Sequence, residues 1–215
     1  MKEDEVLMNK SFIRRLSRLI SLILGENSEH SSFREFTDDN EAKRWGAKSR
    51  ENVLLSNEEI NNIYYYTGSW YRVIFFHLKR GNYRDGSDPD TDAEIDMLDG
   101  SINKGKIPDD IVVYRATRWK TLKSTIENNV VTPEAYWSTS LLLKRAVLFK
   151  LQQRDEHYDC ILKIYLPKGS KGLYVSELKE HDQLSEFEVL LPRDSKFRII
   201  KRRLFSRLLE VELIN

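Results

Sequence analysis

The chain has 215 residues and is 40% hydrophobic, which suits a globular fold with a sizeable core and excludes a disordered chain. Lys and Arg (35) nearly balance Asp and Glu (34), so the net charge of +1 gives no electrostatic case for nucleic acid as a partner. The single cysteine, Cys160, excludes an internal disulfide and a cysteine-based zinc site; inside "DCILKIYL" it reads as a core residue.

In chain order, the first element is "MNKSFIRRLSRLISLILGENS", residues 8–28. Phe12, Leu16, Leu19, Ile20, Ile23 and Leu24 recur at helical spacing, and Gly25 ends the run. Arg14, Arg15 and Arg18 interrupt it, so neither a membrane span nor a signal peptide is recognisable. Residues 1–30 are read as an amphipathic helical extension packed on the rest of the chain. Contact of residues 9–24 with a membrane surface is the alternative that is not favoured.

Residues 31–107 read mainly as helices. One starts after Thr37, with Asp38 and Asp39 at its positive end. "SNEE", Ser56 to Glu59, is a capping box opening the next. In "YYYTGSWYRVIFFHLKRG", Gly68 marks a break, and Tyr71 to Leu78 forms a further helix closed by Gly81. "DPDTDAEIDMLDG" starts another, with Asp88 as N-cap and Pro89 at the first position. Its acidic spacing imitates a calcium loop, but Ala93 stands where the loop needs glycine, so a helix start explains it better.

Residues 108–215 read mainly as strands: "IVVYRAT", "AYWSTS", "CILKIYL", "FEVLL", "KFRII" and "LLEVELI", with "KRR" at 201–203 as a solvated turn. Helices followed by strands, without a linker or repeat, predict one α+β domain over residues 1–215. No GxGxxG, Walker or GxSxG pattern is present, and His30, His77, His157 and His181 show no metal spacing, so no metal is expected.

Three short pieces remain: Arg115 inside an apolar strand, Ser138-Thr139-Ser140 closing a strand, and Glu186-Phe187-Glu188 opening one. Each is commonplace alone. In an extended chain Glu186 and Glu188 share a face, where like charges repel. In this order, and with "EAKRW", "YTGSWYRVI", "ILKIYLPKGSKGLYV" and "EFEVLLPRDSKFRII" around them, they resemble the arginine–serine–glutamate class of bacterial mono-ADP-ribosyltransferase toxins. The resemblance is to the catalytic domains of binary actin-modifying toxins and covers residues 35–201.

The resemblance implies amino-terminal helices packed on a mixed two-sheet β core, with NAD+ as substrate. It also implies roles. Glu188 stabilises the ribosyl cation, and Ser138 orients it. Arg115 grips the diphosphate, Thr139 and Ser140 support the pocket, and Phe149, Tyr66 and Tyr71 lie beside the bound NAD+. Glu186 faces the acceptor, and in the family Glu-x-Glu accompanies arginine acceptors. The target is then a host protein, with actin the first guess, and the chain is secreted or delivered into a host cell. Residues 176–185 resemble the family's recognition loop. An NAD+ glycohydrolase on the same fold and a non-catalytic partner-binding domain are the rival readings.

Overall fold

The computed structural model describes residues 30–152, 158–178, 186–193, 195–203 and 207–214. The expected helix at residues 8–28 lies outside them. The first helix, α1 (Asp39–Arg50), begins where Asp38 accepts the Glu41 N–H. In α2 (Asn57–Tyr65), Ser56 and Glu59 cap each other's backbone N–H as a full capping box. The expected break at Gly68 does not occur. Residues Tyr66–Trp70 form a π-helical turn instead, leading directly into α3 (Tyr71–Lys79). Wider i→i+5 bonding absorbs the irregularity without ending the helix. In α4 (Pro89–Lys104), Asp88 accepts from both the N–H and hydroxyl of Thr91, which accounts for the acidic start.

Among the described residues nine strands follow: β1 (Ile111–Thr117), β2 (Ile126–Glu127), β3 (Val130–Val131), β4 (Trp137–Ser140), β5 (Cys160–Leu166), β6 (Leu173–Tyr174), β7 (Glu188–Leu191), β8 (Lys196–Arg203) and β9 (Leu208–Ile214). Two helices interrupt them, α5 (Trp119–Lys123) and α6 (Leu143–Gln152). The second was unread, although Leu143, Ala146 and Val147 sit at helical spacing and are buried. "KRR" is also not a turn: it completes β8, because Arg203 is bonded by Glu210 on β9 at 2.9 Å.

The strands form one mixed sheet in the order β2-β3-β8-β9-β5-β1-β4-β7-β6, not two. Continuity rests on a single rung, Tyr114↔Ser140, between β1 and β4. Beyond it the sheet folds back on itself. Trp137 of β4 stacks on Phe197 of β8 with centroids 4.4 Å apart, although four intervening steps of the sheet order separate those strands. The inner face gathers Ile111, Val113, Leu162 and Val211 from one half and Val189, Leu191 and Tyr174 from the other. α6 covers the outer face of β1 and β5. The helical layer α2–α4 covers Leu173 and Leu190 on the outer face of the shorter half. Cys160 is buried in the inner core, and burial pushes its thiol up to about 12 against the opposing pull of Lys150.

Candidate active site

The β4–β7 ladder sets Ser138 against Leu190, Thr139 against Val189 and Ser140 against Glu188. Directly opposed residues share a face, so Ser138, Ser140 and Glu188 all stand on the outer face, toward the helical layer. Thr139 points inward, and its hydroxyl donates to the Val189 carbonyl at 2.7 Å. The Ser140 hydroxyl donates to the Glu186 carbonyl at 2.6 Å and accepts the Leu142 N–H at 3.2 Å. Glu188 is clamped through its backbone. Its N–H donates to the Ser176 hydroxyl at 2.8 Å, and its carbonyl accepts the Val175 N–H at 2.9 Å.

Between the two glutamates the chain is not extended. Phe187 has φ +51°, a left-handed conformation that costs a bulky residue about 1–2 kcal/mol. Its ring is 4% exposed in the inner core, under the Arg145 guanidinium at 5.5 Å. The expected same-face pairing of an extended Glu-x-Glu therefore gives way to a step. Glu188 is 8% exposed at the start of β7, while Glu186 is exposed at the rim. The separation in depth relieves the repulsion expected of two carboxylates side by side.

Arg115 occupies the place where the sheet parts. Continuing the Tyr114↔Ser140 register would set Ala116 against Ser138, but the ladder stops there. The Ser138 carbonyl instead accepts from Arg115 Nη1 at 2.6 Å. Burial lowers the Arg115 pKa, and Tyr66, Tyr158 and Glu188 act in the opposite direction. Its Nε is buried without a hydrogen-bond partner. The π-helical turn drives Tyr66 into the interior, against Tyr136 at 5.5 Å in an edge-to-face contact. Burial raises the Tyr66 pKa; Arg115 opposes the rise, and Glu188 and Tyr71 add to it. These mutual influences put Arg115, Tyr66, Tyr71 and Glu188 in one electrostatic neighbourhood. The Tyr71 hydroxyl accepts from Arg72 Nε at 2.9 Å.

Glu186 and Glu188 share a cleft of about 470 Å³, walled by the π-helical turn, by Tyr64 and Tyr65, and by Val175 and Ser176. Of the expected site residues only these two glutamates line it; Arg115, Ser138, Thr139, Ser140, Tyr66 and Tyr71 stand outside the lining, and so does Phe149. It stands on α6 with its ring edge-to-face on Tyr158 at 5.1 Å, and Tyr158 acts on Arg115. Ser176, Tyr65 and Tyr158 were missed in the sequence reading. Ser176 falls at the first position of the polar run 176–185, and only the fold shows that it reaches the Glu188 backbone. A second cavity of about 240 Å³, bordered by Trp119, Arg202 and Arg207, shares no residue with this cleft.

The arrangement offers a buried carboxylate, an exposed carboxylate beside it, and a half-buried arginine with a buried, unmatched Nε. A family model described as ADP-ribosyltransferase exoenzyme matches residues 42–211. The chain is 27% identical over 184 residues to the mono-ADP-ribosyltransferase C3 of Hathewaya limosa, covering 78% of this chain and 72% of that one. It is 26% identical over 160 residues to the NAD(+)–arginine ADP-ribosyltransferase EFV of Enterococcus faecalis, covering 74% of this chain and 31% of that one. The crystal structure of C3stau2 from S. aureus with NAD superposes with a TM-score of 0.68 at 23% identity, covering 86% of this chain and all (100%) of that one, a likeness of fold.

Proposed function

The chain belongs to the ADP-ribosyltransferase exoenzyme family, bacterial mono-ADP-ribosylating toxins with NAD+ as substrate; from that premise we propose that it transfers ADP-ribose to an arginine of a host protein. The observation that carries the proposal is the convergence of Arg115, Ser138 and Glu188 on the one-rung junction, with Glu186 exposed beside them. The whole chain acts as a single catalytic domain.

The nicotinamide of NAD+ is itself a positively charged pyridinium ring, so the glycosidic bond breaks without a general acid: its electron pair goes to the ring nitrogen and nicotinamide departs neutral. The ribosyl group left behind is an oxocarbenium-like cation. Glu188 sits low-exposed at a clamped strand start, where its carboxylate complements that charge and accepts from the ribose 2′-hydroxyl. Arg115 holds the diphosphate, and its buried, unmatched Nε suits a phosphate oxygen. Tyr71 lies beside the dinucleotide, Tyr66 and Phe149 back the site through Tyr136 and Tyr158, and Ser138, Thr139 and Ser140 form the supporting strand.

Glu186 receives the acceptor. A guanidinium is protonated at any physiological pH and is a poor nucleophile until its charge is localised and a proton is removed. An exposed carboxylate at the rim binds it and takes that proton as the guanidinium nitrogen bonds to the ribose carbon. Arginine as acceptor is consistent with the similarity to the Enterococcus NAD(+)–arginine ADP-ribosyltransferase. Actin is the first protein to assay, since the motif order resembles that of actin-modifying toxins.

The experiment separates the two glutamates. With labelled NAD+ and a lysate, Glu188→Gln should lower both protein labelling and nicotinamide release by about 10²–10³-fold. Glu186→Gln should collapse labelling of protein and of agmatine, a small guanidine, while nicotinamide release persists. Labelling unaffected by Glu186→Gln would retire the arginine reading.

A further inference from the structure

The described residues expose six large hydrophobic side chains, and five of them lie between residues 64 and 76: Tyr64, Tyr65, Trp70, Val73 and Phe76, each 38–55% exposed. Along α3 they form a stripe, because Trp70, Val73 and Phe76 are spaced three apart while Ile74 and His77 face inward. An amphipathic helix on a folded domain normally turns such a stripe to the core. Here the core side is already occupied, and a second apolar face looks outward.

Beyond the first turn of α2, where Glu58 is exposed and Glu59 is held by Lys104, charge along this face has one sign. From Ile60 to Arg84 the sequence contains no acidic residue, against Arg72, Lys79, Arg80 and Arg84. Lys79 and Arg84 are bridged to Glu134 and Asp96. The exposed guanidinium groups of Arg72 and Arg80 lie over the Tyr71 and Phe76 rings at 5.6 and 5.8 Å. The face is also continuous with the cleft, because Tyr64 and Tyr65 belong to both the exposed group and the cleft wall shared with Glu186.

We propose that the α2–α3 face is the docking surface for the acceptor protein, which presents an apolar patch bordered by carboxylates next to its modified residue. The proposal rests on the transferase reading above. Exposed aromatic clusters of this kind mark interaction sites, and large apolar side chains beside arginine are the usual anchors of an interface. A partner seated here extends into the cleft without crossing the core. It recognises the protein around the acceptor group, whereas Glu186 recognises the group itself.

The test compares protein labelling with nicotinamide release measured without acceptor. Val73→Asp and Phe76→Asp should each lower labelling of lysate protein by about tenfold, with release unchanged within about twofold. Arg80→Glu should lower labelling in a salt-sensitive way, since rim charges act mainly on association. Val73→Ser and Phe76→Ser repeat the test without adding charge, and circular dichroism checks folding. Labelling that is unchanged, or that falls in step with nicotinamide release in every variant, overturns the proposal. So does a wild-type protein that sediments with phosphatidylserine vesicles through Val73 and Phe76 while labelling stays constant, which makes the face a membrane contact. Wild-type protein that labels lysate protein but not agmatine retires arginine as the acceptor alone, and the ratio of labelling to release still reads the docking surface.

Discussion

Glu186 and Glu188 occupy different environments because one residue between them, Phe187, turns the chain at φ +51°. No residue type announced that turn, since a phenylalanine in the left-handed region carries no sequence signal. The two carboxylates were legible as a motif, but their difference in depth was not. Ser176 is, with Tyr65 and Tyr158, among the residues hidden from the sequence. It is 3% exposed, and its hydroxyl takes the Glu188 N–H. Ser176→Ala leaves that donor buried without an acceptor, a loss of about 1–3 kcal/mol. The expected outcome is a kcat for nicotinamide release reduced several-fold with KM for NAD+ nearly constant, and recovery in Ser176→Thr. A Ser176→Ala protein that melts lower but turns over normally would show a purely structural serine.

Among the elements, the helix starts were the most legible, because a cap is a local bargain between one side chain and the next turn. Ser56 and Asp88 accept where their spacing predicted, whereas Asp38, expected only as a charge at the positive end of its helix, is the N-cap. The π-helical turn was illegible because "YTGSW" fits a break equally well, and only the tertiary contact of Tyr66 with Tyr136 decides between them. The Ser56 cap also carries a pH dependence. Burial pushes the Glu59 pKa up, but the Lys104 ammonium at 2.7 Å and the Ser56 N–H at 2.8 Å outweigh it and hold the pKa below its ordinary 4.5. A depressed folded-state pKa stabilises the protein above the unfolded value, and that stability is lost as pH falls through the folded value. The melting temperature of the wild type should exceed that of Glu59→Gln near pH 6. The gap should close below about pH 4.5 as the carboxylate protonates. A gap independent of pH would mean that the cap's hydrogen bond, and not its charge, matters.

For the whole molecule, the six longer strands and their order were readable from β-branched runs, but the two-residue strands β2, β3 and β6 were too short to show, and the pairing was not readable. Nothing in "IVVYRAT" and "AYWSTS" says that their strands meet at one rung, or that the sheet then folds until Trp137 reaches Phe197. That rung has a kinetic consequence. Arg115 belongs to the long ladder of β1, β5 and β9, and Ser138 and Glu188 to the short ladder of β4 and β7. Each ladder has its own backbone bonds and can zip up while the other is unformed. The proposed catalytic group comes together only after the two close on each other, the step with least local pairing and most dependence on distant contacts. During refolding from denaturant, the far-ultraviolet circular dichroism signal should therefore return before nicotinamide release does. Weakening the closure with Trp137→Leu should lengthen the lag. Simultaneous recovery would mean that both ladders and their junction form in one event. Such a lag keeps the chain inert until its last contact is made.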